Sequence, residues 1–245
     1  MSGMAVSWSS EQLGARSRLT CALPDIWRVA AWGWARLVGM QAAAILVLSF
    51  AVGAIPFSYV AGRRARGVDL RRVGTGTVSG TSLYRVAGFG PLAAAGVLDV
   101  AKGAAGPGLA MAAGHPALAA VAGGAGVVGH NWSPFLRGAG GRGISPALGA
   151  LLVVAWPGTV MLLVGMILGK VFGETAVGAL VAEVALTPVL AVTHGAVGAL
   201  AGISIAIPML VKRVVGNAPA KPPRGRTYRN RILYDRDDRV ASQKP

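Results

Sequence analysis

The sequence predicts an all-α integral membrane protein, a compact bundle of about seven transmembrane or partly spanning helices with glycine-rich cytoplasmic loops. Three observations lead there. Only 13% of the 245 residues are charged while 53% are hydrophobic, too little charge to cover the surface of a soluble domain of this size. Apolar runs over 37–60, 144–168 and 176–210 reach or exceed the length that spans hydrocarbon. The 36 glycines sit among Ala, Leu and Val, where they read as small-residue contacts that let membrane helices approach closely.

Residues 1–36 are polar to amphipathic, without the apolar core and small-residue cleavage site of a signal peptide. Trp27, Trp32 and Trp34 alternate with Arg28 and Arg36 as an interfacial anchor would. An alternative start at Met40 would make this stretch an extension. The first span is expected over 37–61, ending in Ile55-Pro56-Phe57-Ser58-Tyr59. Arg63, Arg64, Arg66, Arg71 and Arg72 follow as the densest internal basic loop, which marks the cytoplasmic face. Residues 91–106 and 108–128 read as two apolar segments broken at Gly106-Pro107-Gly108. The remaining apolar stretch divides at Trp156-Pro157, Lys170 to Glu174 and Thr193-His194-Gly195, giving segments near 144–155, 158–170, 173–192 and 195–212. Seven segments place the termini on opposite sides. Residues 37–215 thus form the membrane domain, and 216–245 read as a basic, solvated cytoplasmic tail. The absence of a visible internal repeat argues against transporters built from two related halves.

The formal charge of +15 raises nucleic acid as a partner. The basic residues lie between and beyond the apolar spans, however, where they face anionic lipid headgroups or phosphorylated substrates. No nucleic-acid module is expected. Cys21 is the single cysteine, and His115, His130 and His194 lie far apart without carboxylates at ligand spacing. Neither a metal nor another cofactor is expected.

Asp99 and Lys102 interrupt an apolar run at i and i+3, on one face of a helix. Charges there are costly unless paired or turned to a polar cavity, which makes the pair a candidate for chemistry. A salt bridge that only fixes packing is the plain alternative. The loop Gly74-Thr75-Gly76-Thr77-Val78-Ser79-Gly80-Thr81-Ser82 offers backbone N–H groups and hydroxyls to an anion, and Arg85 adds a planar fork. The second glycine-rich loop, Arg137-Gly138-Ala139-Gly140-Gly141-Arg142-Gly143, has the same chemistry. His130 and His194 read as hydrogen-bonded packing residues. Without a Ser-His-Asp arrangement, a reaction here would rest on positioning and on stabilising an oxyanion or departing phosphate.

These residues resemble the bacterial acyl-phosphate:glycerol-3-phosphate acyltransferases over about residues 40–215. Ile55 to Tyr59 and Gly67 to Arg71 match the lead-ins. The first motif of that family, Gly-Ser-Gly-Asn-x-Gly-Ala-Thr-Asn-x-x-Arg, is matched at Gly74, Gly76, Thr81 and Arg85, with Thr77 and Ser82 where asparagines stand. The second, Asp-x-x-Lys-Gly, is complete at Asp99, Lys102 and Gly103. The third matches at Gly129-His130, Pro134-Phe135-Leu136, Gly140, Gly141 and Gly143, with Ala139 and Arg142 at its two lysine positions. Its C-terminal His-Arg-x-Asn-Ile segment falls on residues 212–217, without the histidine.

The resemblance implies acyl transfer from acyl phosphate to the 1-hydroxyl of glycerol-3-phosphate, giving lysophosphatidate and phosphate in the bacterial cell membrane, without a cofactor. It implies Arg85, Lys102 and Arg142 as phosphate clamps, with Asp99 orienting Lys102 and His130 in support. Gly74, Thr75, Gly76, Thr77, Thr81, Ser82, Gly140, Gly141 and Gly143 would shape the phosphate-binding loops. Two other readings stand beside it. One is a non-catalytic relative that binds lipid or phosphate, suggested by the motif substitutions. The other is a small transporter, suggested by the span count and the intramembrane charges.

Overall fold

The computed structural model describes residues 38–73, 76–220 and 222–237. The anchor expected over 1–36, together with Gly74 and Thr75, lies outside them. The chain divides into two units, Met1–Ala43 and Ala44–Pro245. The first is described only over 38–43, which are helical. All that follows concerns the second.

Every regular element among the described residues is helical. Helix α1 covers 44–53, α2 is Phe57–Arg66, α3 Gly80–Ala87, α4 Phe89–Ala112 and α5 Pro116–Asn131. Then come α6 Ile144–Val154, α7 Trp156–Val171, α8 Thr175–Val215 and α9 Arg224–Tyr234. The stretches Val38–Arg66 and Thr175–Val215 are long and apolar enough to cross a membrane.

The expected span over 37–61 is not one continuous helix. It stops after residue 53 and restarts at Phe57, because Pro56 has no N–H to donate and restricts the residue before it. At this break the Ile55 carbonyl accepts the Phe57 N–H at 3.2 Å and is left outside the helical ladder, where a side-chain donor also reaches it. The opposite correction applies at Gly106-Pro107-Gly108. There α4 runs on through Pro107 to Ala112, and the break falls at 113–115, where Gly114 has φ 77° and Pro116 opens α5. Pro107 is buried, so packing around it holds one helix where propensity predicts two.

The four segments expected after 144 correspond closely to α6, α7 and the two arms of α8. Gly195, at φ 58° and ψ −143°, interrupts α8, a conformation that glycine adopts without a Cβ clash. The arms 175–194 and 196–215 fold back on one another: Gly202 lies against Thr187 and Gly198 against Leu190. At α6, 11 residues rise only about 16 Å, about half the hydrocarbon thickness.

The main core gathers Val127 of α5, Leu151 of α6, Leu162 of α7 and Leu186, Leu190, Ile205 and Met209 of α8. Small residues set the closest approach. A Cβ on Gly103 of α4 would fall on the Pro146 carbonyl, and one on Gly149 of α6 on the Val100 carbonyl. Backbones in such contact gain dispersion that larger residues would forbid. A smaller cluster of Leu70, Val78, Leu83, Ala95 and Leu136 sits under the loops at one end of the bundle.

Candidate active site

The loop end of the bundle is stitched together by backbone and amide hydrogen bonds. Val78 N–H donates to the Gly140 carbonyl (3.1 Å), and Gly141 N–H donates to the carbonyl of His130 (3.2 Å). Asn217, just past α8, donates through Nδ2 to the carbonyls of Gly76 (3.1 Å) and Gly140 (2.9 Å). Its Oδ1 accepts from Gly140 N–H at 3.2 Å. The two glycine-rich loops expected from the sequence therefore lie together, joined by one side chain.

Beneath them sits a charged pair. Lys102 Nζ lies 2.7 Å from Asp99 Oδ1 and donates to the Ile55 carbonyl at 2.5 Å. Ser58 Oγ donates to Asp99 Oδ2 at 3.0 Å. Asp99 is 2% exposed and Lys102 5%, so each charge depends on the other and on these donors and acceptors. The Phe57 ring lies 5.6 Å from Nζ, within cation–π range. His130 Nδ1 is 3.9 Å from Asp99 Oδ1. A cavity of about 10 Å³ is lined by Ile55, Ser58, Asp99, Lys102, His130 and Gly141, among others, a volume that admits about one water-sized group.

The expected site residues divide into those that meet and those that do not. Asp99, Lys102, His130, Gly140 and Gly141 line one cavity. Gly76 and Thr77 belong to the loop that adjoins it, and Thr77 is buried. Gly143 begins α6 at φ 82°. Ser82 is the third residue of α3, with its N–H accepted by Ser79 Oγ at 3.3 Å, an N-cap. Thr81 and Arg85 are exposed.

Arg142 turns away from the cavity. Its Nε lies 2.6 Å from Asp235 Oδ1, and its Nη1 donates to the Lys212 carbonyl at 2.6 Å. Burial draws the guanidinium below its usual value, against the pull of Asp235. The same burial pushes the Asp235 carboxyl up, against Arg142.

Three participants were not singled out from sequence. Ser58 stands 41 residues from the carboxylate it supports, inside a motif noted only as a lead-in. Ile55 contributes a carbonyl, which no residue type signals. Asn217 ends the stretch 212–217 on which the C-terminal family segment falls. It stands four residues after Arg213, whereas the motif has its asparagine two after the arginine, so the spacing did not single it out.

The arrangement defines an all-helical membrane fold with a buried ammonium–carboxylate pair beneath two joined glycine-rich loops. Residues 43–216 match the family model described as glycerol-3-phosphate acyltransferase. The chain is 34% identical over 169 residues to the glycerol-3-phosphate acyltransferase of Synechococcus sp. (strain CC9902), covering 68% of this chain and 84% of that one. It is 33% identical over 163 residues to that of Chlorobaculum tepidum, covering 61% and 70%. Its fold is similar to the crystal structure of PlsY (YgiH), an integral membrane glycerol 3-phosphate acyltransferase in its glycerol 3-phosphate form. That match has a TM-score of 0.68 and 23% identity, over 82% of this chain and 96% of the other. The chain belongs to the glycerol-3-phosphate acyltransferase family.

Proposed function

We propose that the protein transfers an acyl group from acyl phosphate to the 1-hydroxyl of glycerol-3-phosphate, releasing lysophosphatidate and inorganic phosphate, as a step of phospholipid synthesis. Family membership supports the reaction. The observation that carries its placement is Lys102, buried and paired with Asp99, beneath the two glycine-rich loops that Asn217 joins.

In this reading Lys102 stabilises negative charge on the departing phosphate or on the carbonyl oxygen as the tetrahedral intermediate forms. Asp99 keeps the ammonium aimed and lowers the cost of its burial, while Ser58 occupies the second carboxylate oxygen. The glycine-rich loops cradle phosphate oxygens. Arg85, exposed at the end of α3, meets the phosphate of an arriving substrate, and His130 supports Asp99. The small cavity enlarges as loops 76–79 and 137–141 shift to admit the reactants. The acyl chain stays among the apolar helices. The basic loop after α2, the glycine-rich loops and the C-terminus face the cytoplasm, by their excess of arginine.

The test is conversion of labelled glycerol-3-phosphate to lysophosphatidate by purified protein with acyl phosphate, with acyl-CoA as the control donor. Turnover with acyl phosphate that is lost in Lys102→Met supports the reading. Folded protein that binds glycerol-3-phosphate but does not turn over sinks it in favour of a non-catalytic relative.

A further inference from the structure

The segment after α8 was expected to be a solvated tail. Instead, α9 carries Thr227, Asn230 and Arg231 buried on one face, and residues 224–237 lie beyond the family match, which ends at residue 216. This segment completes an electrostatic lock around the end of α8.

The last carbonyls of any helix lack intrahelical partners. Here two guanidinium groups reach four in succession, of which the Lys212 carbonyl also accepts the Gly216 N–H at 2.9 Å. Arg142 Nη1 reaches the carbonyls of Lys212 (2.6 Å) and Arg213 (3.5 Å), and Arg231 Nη1 those of Val214 (3.3 Å) and Val215 (2.6 Å). Cations at this helix end also suit its dipole. Each arginine then needs a carboxylate. Asp235 lies 2.6 Å from Arg142, Asp237 2.6 Å from Arg231, and Glu183 of α8 3.0 Å from Arg213. The first two come from the C-terminal segment.

Arg142 follows directly on Gly140 and Gly141, which line the site cavity. Its guanidinium fixes the backbone that presents them. We propose that residues 224–237 form a C-terminal clamp that positions the second glycine-rich loop, with Asp235 as a positioning residue acting through Arg142. The arginine at the family's lysine position is thereby committed to holding the loop in place, with its counter-charge supplied from outside the family domain.

The inference rests on the acyl-transfer reading only for its kinetic readout, so two measurements on the full-length protein in lipid nanodiscs test it. Hydrogen exchange of residues 137–143 is followed in the wild type, Asp235→Asn and Asp235→Glu. Exchange about tenfold faster in Asp235→Asn is expected, with α4 unchanged and most protection recovered in Asp235→Glu. Transfer assays on the same proteins are expected to show kcat reduced about tenfold in Asp235→Asn and largely restored in Asp235→Glu.

Unchanged protection of the loop, or equal loosening of α4 and the loop, would overturn the clamp. A loosened loop with unaltered kcat and KM would overturn the positioning role. If the loop loosens in Asp235→Asn while the wild type transfers nothing, the acyl-transfer reading fails and the clamp stands. Should Asp235→Asn not be recovered folded, Arg142→Lys takes its place. It keeps the charge but cannot span Asp235 and the Lys212 carbonyl together, and the same outcomes decide.

Discussion

Lys102 and Asp99 meet at 2.7 Å one helical turn apart, both almost fully buried, inside a helix that is otherwise apolar. Neither could hold its charge there alone. The pair is the electrostatic centre of the site, and Ser58 and the Ile55 carbonyl exist around it as its remaining partners.

Replacing Lys102 with Met removes the ammonium and leaves Asp99 with the Ser58 hydroxyl and, at 3.9 Å, the His130 ring. Transfer is expected to fall by about a thousandfold, as when a main stabilising donor is lost from an acyl-transfer site. Asp99→Asn is expected to retain folded protein with strongly reduced kcat. Steady-state kinetics on detergent-purified variants check both. Normal turnover in Lys102→Met would remove that residue from the reaction.

Asn217 makes three hydrogen bonds to the two glycine-rich loops. Asn217→Ala is expected to raise the KM for glycerol-3-phosphate by about tenfold while shifting the melting temperature little, since loop order and global stability separate in such elements. Asn217→Asp keeps an acceptor for Gly140 N–H but loses both donations, and should resemble the alanine variant.

A Cβ at Gly140 would fall on the backbone carbonyls of His130 and Asn131. Gly140→Ala must displace backbone, and a loss of about 1–3 kcal/mol of stability is expected, along with activity. Gly90→Ala, where nothing lies within 4 Å, is the matched control. Equal melting temperatures for the two variants would contradict the close approach.

Glu183 holds Arg213 at 3.0 Å, with side-chain exposures of 1% and 3%. Glu183→Ala leaves a buried unpaired guanidinium and is expected to cost about 3–5 kcal/mol, read as a large drop in thermal stability with KM unchanged in whatever protein survives.

Asp69 caps the turn Leu70–Arg72 and pairs with Arg71 at 2.7 Å. The hydrogen bond from Arg71 holds its carboxyl at about 2, below the ordinary 3.8. A depressed carboxyl stabilises the fold above the ordinary value, and that contribution disappears as pH falls through about 2. Protection of the 67–73 segment from proteolysis should therefore decline between pH 4 and 2 (roughly this window, from the same linkage). Asp69→Asn should show no such decline.

Much of this was legible in order along the chain. Hydrophobic runs and their glycine and proline punctuation gave the last four segments to within a few residues, because a membrane helix must satisfy its own backbone and so betrays itself by length and composition. The Asp99–Lys102 pair was legible for the same reason: two charges at i and i+3 in an apolar helix have few places to go but each other. The two glycine-rich loops were expected near one another from their shared position by the arginine-rich face, and the hydrogen bonds of Asn217 do join them.

Tertiary structure decided the rest. Pro107 breaks no helix because its neighbours bury it, whereas Pro56 does interrupt one, and a single local sequence rule cannot tell these cases apart. Arg85 and Arg142 look alike in sequence as phosphate ligands, yet one is exposed and the other is held by Asp235, 93 residues further on. Which carboxylate meets which arginine depends on where helix ends converge in space. The sequence determined the membrane bundle, its loops and its buried ion pair, since each follows from the local cost of placing polar groups in hydrocarbon. Only the packed structure decided the partners of the remaining charges, because those partners are brought together by contacts between distant segments that no local pattern encodes.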